Sequence, residues 1–129
     1  MTPLLTILAW SLALALFQIL LTAALRTWET GLKYNASPRD EPAPSPGKIT
    51  ARVQRAEKNL LETLPVFIGA VLIIHVANLE TPALVLAAKI YLAARIIYIP
   101  LYAAGVPYVR TLVWAASLWG ILQLIEAAL

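Results

Sequence analysis

The sequence predicts an all-α fold, a four-helix bundle embedded in a membrane. Three observations carry that expectation. The 129-residue chain is 60% hydrophobic and only 13% charged, with a mean hydropathy of +0.76. One soluble core of this size cannot absorb so much apolar surface. The apolar residues also fall into four long runs, and a spanning helix satisfies its own backbone hydrogen bonds, as hydrocarbon surroundings demand.

The first helix is expected over about residues 3–26. Pro3 to Leu25 contains no charge, and a helix of that length spans roughly 30 Å, the hydrocarbon thickness of a bilayer. It lacks a basic leading region and its apolar run exceeds that of a signal peptide, so it is expected to be retained. The second helix is expected over about 50–77, with Thr50 as N-cap and a polar start reaching through the interface. The third and fourth are expected over about 82–104 and 107–128, each after a tight turn. Pro65 and Pro100 fall inside the second and third helices, where each removes a backbone donor and favours a kink. The chain forms one domain. Its only long connection, about 35–48, is centred on the Pro-rich stretch Ser37 to Gly47. That composition suits a solvated, extended linker; the alternative is a lid over a cytoplasmic site.

Orientation follows from the basic residues. Arg26, Lys33, Arg39, Lys48, Arg52, Arg55 and Lys58 cluster in and around the first connection, and Arg110 follows the third span. The opposite turn, Asn78-Leu79-Glu80-Thr81, and both termini carry no Lys or Arg. The positive-inside rule places loops 27–50 and 105–107 in the cytoplasm and both termini outside. The net charge of +3 is spent at membrane borders, so no nucleic-acid partner is expected. With no Cys and one His, disulfides, thiolate metal sites and histidine metal sites are excluded. That histidine, His75, lies far from the basic cluster and suits packing or the interface.

The polar residues at the cytoplasmic end form two helical stripes. Arg55, Lys58, Asn59 and Glu62 share one narrow face of the second helix. Tyr91, Arg95, Tyr98 and Tyr102 share one face of the third. Charge at this depth is costly unless paired or lining a cavity. A Glu62–Arg95 ion pair would account for part of it as plain structure. Arg55, Lys58, Arg95 and Arg110 nevertheless outnumber Glu62, and that surplus calls for an anionic, multiply charged ligand. Lys89 points away from the Arg95 face, either reaching outward or pairing with Glu80 or Glu126.

The pattern Arg55-Ala56-x-x-Asn59-x-x-Glu62-x-x-Pro65, then Ala94-Arg95-x-x-Tyr98-x-x-x-Tyr102, then Pro107 and Arg110 entering the last helix, resembles the MAPEG superfamily, the membrane-associated proteins in eicosanoid and glutathione metabolism. The second motif is most similar to the leukotriene C4 synthase branch. The resemblance implies a homotrimer with glutathione held between protomers. Arg55, Lys58, Asn59, Glu62, Arg95, Tyr98 and Tyr102 fall at glutathione-binding positions. The residue types suit that ligand: cations for its two carboxylates, Glu62 for its ammonium, Asn59 and the tyrosines for orientation. Arg110 matches, across one inserted loop residue, the catalytic arginine that stabilises the thiolate; on sequence alone it serves equally well as a positive-inside anchor. Trp114 stands where some members carry tyrosine.

The implied function is a membrane-bound glutathione transferase or peroxidase acting on a hydrophobic electrophile or lipid hydroperoxide, with glutathione as co-substrate and no metal. The alternative is a non-enzymatic relative that keeps the trimer scaffold. The compact chain, without an ER-retention tail, gives the expectation of a bacterial inner-membrane protein.

Overall fold

The computed structural model describes all residues, 1–129. Five helices follow in order: α1 Pro3–Thr30, α2 Leu32–Ala36, α3 Lys48–Val76, α4 Pro82–Ala103 and α5 Pro107–Ala128. Four of them, all but α2, are long and apolar enough to cross a membrane. Their starts are written in the sequence. The Thr2 side chain caps α1 by accepting from the Leu5 N–H, and Thr81 caps α4 by accepting from Leu84. A proline opens α1, α4 and α5, where its missing N–H costs nothing.

The four long helices pack so that α1 lies on α3 and α4, while α5 lies on α3 and, most extensively, on α4. The core runs up the middle: Leu4, Leu8 and Ala15 of α1, Leu60, Phe67 and Ile74 of α3, Tyr91 of α4, and Ile121 and Leu124 of α5. Phe67 stacks on Tyr91 with ring centroids 4.1 Å apart, and the Tyr91 hydroxyl is 3.1 Å from Thr63 Oγ1. Gly120 lets α5 approach α4 closely: a Cβ there would lie 2.6 Å from the Ala87 carbonyl oxygen. Small residues at such crossings are how membrane helices gain packing contacts. Only 25 of 129 residues are buried, and Trp10, Leu16, Phe17, Leu72, Ile97 and Leu122 stand exposed. That outer surface is apolar because its solvent is lipid.

Several expectations change. The first helix continues to Thr30 rather than ending near 26, because an Arg26–Glu29 ion pair of 3.0 Å supports its last turn beyond the apolar run. The second spanning helix starts at Lys48 after Gly47, so Thr50 is not its N-cap. Thr50 is buried instead, and its hydroxyl donates to Glu29 Oε2 at 3.0 Å. The long connection is solvated as expected, with most of residues 38–47 exposed and none of them helical, but it is anchored rather than free. It begins with the short α2, and it is strapped down by Arg26 donating to the Pro44 carbonyl, Gly47 N–H donating to Glu29, and the Tyr34 hydroxyl donating to the Glu41 carbonyl. None of these contacts brings it over the polar cluster on α3 and α4. Helices α3 and α4 run through Pro65 and Pro100 without interruption.

Candidate functional site

The site is built from one end of α3, α4 and α5. Arg55 and Asn59 lie one turn apart on α3 and face α4. Arg95 and Tyr98 are buried on the core seam of α4, and Tyr102 follows one turn later. The connection to α5 is a tight turn in which Gly105 takes a φ of +75°. A side chain there would be strained and would also strike the Arg52 guanidinium, 2.8 Å from an added Cβ. Arg52 in turn donates to the Ala103 carbonyl at 3.2 Å, a cation placed at the negative end of α4. This fastening sets where α5 begins and so where Arg110 stands.

Cations and aromatic rings alternate across the site. The Arg95 guanidinium lies 4.5 Å from the Tyr98 ring centroid. Tyr98 meets Tyr102 edge to face with centroids 5.4 Å apart. Arg110 sits 4.5 Å from the Tyr102 centroid, and Arg55 approaches the same ring at 5.7 Å. The Arg55 Nε–H also donates to the Tyr102 hydroxyl at 3.2 Å. Arg95 Nη1 donates to Asn59 Oδ1 at 2.7 Å, while its buried Nε has no partner. The only ion pair in the protein is Arg26–Glu29. Arg55, Arg95 and Arg110 are therefore oriented by ring faces and an amide, and their charge is left uncompensated. Cation–π contacts hold a guanidinium in place without neutralising it.

Asn59, Tyr98, Tyr102, Arg110, Thr111 and Trp114 line an open cavity of about 270 Å³. Its walls combine an amide, two phenols and a guanidinium with the indole of Trp114. Thr111 and Trp114 were not among the expected ligand positions. Trp114 lies one turn from Arg110, and that spacing was the available signal.

The other expected residues are placed differently. Glu62 makes no pair with Arg95, which has taken Asn59. Lys58 and Glu62 are exposed, and with Gln54, Glu57 and Leu61 they line a separate groove of about 370 Å³. The single polar face of α3 is two adjacent stripes. Lys58 is turned about 60° from Arg55 and in the opposite sense from Asn59. Within one chain these two residues do not reach the cation–aromatic cluster. Tyr91 shares the α4 seam but is a core residue, held by Phe67 and Thr63. His75 and Lys89 lie at the other end of the bundle, and Lys89 pairs with neither Glu80 nor Glu126.

These features define a class: a four-span helical membrane protein with a cation-rich, aromatic-lined site at one end of the bundle. The family model of the MAPEG family matches residues 7–129. The chain belongs to that family, and it is thus an integral membrane protein of the glutathione and eicosanoid metabolism superfamily. No individual curated protein matches the chain.

Proposed function

We propose that this protein is a glutathione-dependent transferase, with peroxidase activity toward lipid hydroperoxides, and that it works as a homotrimer. The observation that carries the reading is the uncompensated Arg55–Arg95–Arg110 cluster around Tyr98 and Tyr102. A positive, partly buried site of this kind recruits an anion. Glutathione brings two carboxylates, an ammonium and a thiol. Arg55 takes a carboxylate, buried Arg95 adds its positive field from behind Asn59 and Tyr98, which fix orientation, and Arg110 is left for the sulfur.

The trimer completes the site. A cavity of about 270 Å³ is small beside the roughly 300–1,000 Å³ of ligand pockets. The nearby Lys58–Glu62 groove on α3 offers a cation and a carboxylate that no group of the same chain engages. Packing α3 of one copy beside the cation–aromatic cluster of the next brings the two half-sites together. Glu62 then meets the glutathione ammonium and Lys58 a carboxylate.

In the reaction, Arg110 favours the thiolate, and the thiol proton leaves to water at the cytoplasmic mouth. The sulfur attacks an electrophilic carbon entering from the bilayer beside Trp114 and forms a thioether as the leaving group departs. With a hydroperoxide the thiolate attacks the terminal peroxide oxygen, the O–O bond breaks, the alkoxide leaves as the alcohol after taking a proton from water, and the sulfur becomes a sulfenic acid. The thiol of a second glutathione then attacks that sulfur, forming the oxidised disulfide and releasing water. The basic loop 27–50 and the turn 105–107, which precedes Arg110, face the cytoplasm in this reading.

The test is a glutathione titration of the detergent-purified protein, followed by the thiolate's ultraviolet absorbance and then by turnover of a model electrophile. Saturable thiolate formation near neutral pH supports an enzyme. Binding without thiolate supports a non-enzymatic relative, and no binding removes the reading.

A further inference from the structure

An open cavity of about 450 Å³ lies at the end of the bundle opposite the candidate site. It sits between the start of α1 and the start of α4, and it is lined by Pro3, Glu80, Thr81, Val85, Leu86 and Lys89 among others. No residue of the proposed glutathione site touches it.

Two charges in it lack partners. Lys89 is exposed, makes no ion pair and lies seven residues into α4, roughly 10 Å along its axis. It is the only Lys or Arg in this half of the bundle; all the others lie from Arg26 to Lys58 or at Arg95 and Arg110. A lone ammonium at this depth is costly in hydrocarbon and must reach toward the interface or meet an anion. Glu80 accepts the Leu4 N–H at Oε1, 3.3 Å away, which joins the starts of α1 and α4. Its other oxygen, Oε2, is buried with no hydrogen-bond partner. A carboxylate oxygen in that state requires a donor.

We propose that this cavity binds the headgroup of an aminophospholipid of the phosphatidylethanolamine type. Lys89 pairs with the phosphate, and the ethanolamine ammonium donates to Glu80 Oε2. Val85 and Leu86 on the cavity wall lie against the start of the acyl chains. The site carries one cation and one carboxylate, so it is matched to a zwitterion rather than to a purely anionic lipid. A choline headgroup has the same net charge but no N–H, and it cannot satisfy Glu80.

Native mass spectrometry of the detergent-purified protein, mixed with equal amounts of phosphatidylethanolamine, phosphatidylcholine and phosphatidylglycerol of the same chain length, tests this. The wild type retains the ethanolamine lipid about tenfold over the other two, the size of one charge-assisted hydrogen bond. Glu80→Gln keeps an acceptor for the Leu4 N–H and erases the preference for ethanolamine over choline. Lys89→Gln, on an exposed side chain, lowers retention of both zwitterionic lipids about tenfold by removing the phosphate's partner. Equal retention of the three headgroups by the wild type overturns the proposal. So does unchanged retention of the ethanolamine lipid by folded Lys89→Gln. Displacement of the lipid by soluble phosphoethanolamine at the same concentration assigns the site to a free solute and overturns it as well.

Discussion

Arg95 is 1% exposed, and its guanidinium is held by the Asn59 side-chain oxygen at 2.7 Å and by no carboxylate. An amide orients the charge without cancelling it. The Arg95 positive field therefore remains available to a ligand, which a Glu62 ion pair would have consumed.

Asn59 should accordingly matter for stability as well as for binding. Asn59→Ala leaves a buried guanidinium short of an acceptor and should cost about 1–3 kcal/mol. Thermal unfolding in detergent measures it. The double variant Asn59→Leu with Arg95→Met should be less destabilised than Asn59→Ala, because it removes the orphaned charge along with its partner.

The α4–α5 contact gives a second expectation. Gly120→Ala places a methyl 2.6 Å from the Ala87 carbonyl oxygen and 3.3 Å from the Tyr91 N–H. Backbone cannot rotate out of the way, so the helices must separate, at about 1–3 kcal/mol. The unfolding temperature should fall, and an alanine at exposed Ala115 replaced by glycine should have a smaller effect, about 1 kcal/mol, from helix propensity alone.

Trimer formation through α3 is tested at Leu61, which is exposed beside Lys58 and Glu62. The chain has no Cys, so Leu61→Cys carries a single thiol. A bifunctional thiol reagent applied to native membranes should give cross-linked dimers from neighbouring α3 helices. Amine cross-linking of the same membranes should reach trimer and stop. Monomer alone under both conditions contradicts the proposed assembly.

Glu62→Gln separates ligand binding from structure. Glu62 is exposed and makes no ion pair in its own chain, so its loss should leave the fold intact. Glutathione affinity should nonetheless fall by about 1.5–3 kcal/mol, for one charge-assisted bond to the ammonium. Calorimetric titration of both proteins checks it. Unchanged affinity removes Glu62 from the site.

How far the sequence could be read depends on the range of the interaction. Four uncharged or sparsely charged runs fix the spans, because hydrocarbon admits few alternatives. The seam of Arg95 and Tyr98 on α4 was also legible, because a single helix sets it by periodicity. Partner choice was not. Glu62 and Asn59 lie within about 60° of each other on the helix wheel, and only the packing angle of α3 against α4 decides that Asn59 meets Arg95. The same angle turns Lys58 and Glu62 outward. Thr50 reads as an N-cap by composition, but Glu29, from another helix, takes its hydroxyl. The straps on the Pro-rich connection likewise rest on residues distant in sequence, such as Arg26 and Pro44.

The central claim is that Arg110, poised 4.5 Å from the Tyr102 ring and lining the cavity with Asn59 and Tyr98, stabilises a glutathione thiolate. Its most direct test is the pH dependence of thiolate absorbance for glutathione bound to the wild type and to Arg110→Ala. A guanidinium favours the anion, so the bound thiol should ionise well below its ordinary pKa of about 8.5 in the wild type. In the variant the titration should move back up toward that value, with affinity at a pH where the bound thiol stays protonated nearly unchanged and turnover of a model electrophile down by about tenfold or more. Superimposable titrations and equal turnover in the two proteins would reduce Arg110 to a topology anchor and contradict the account.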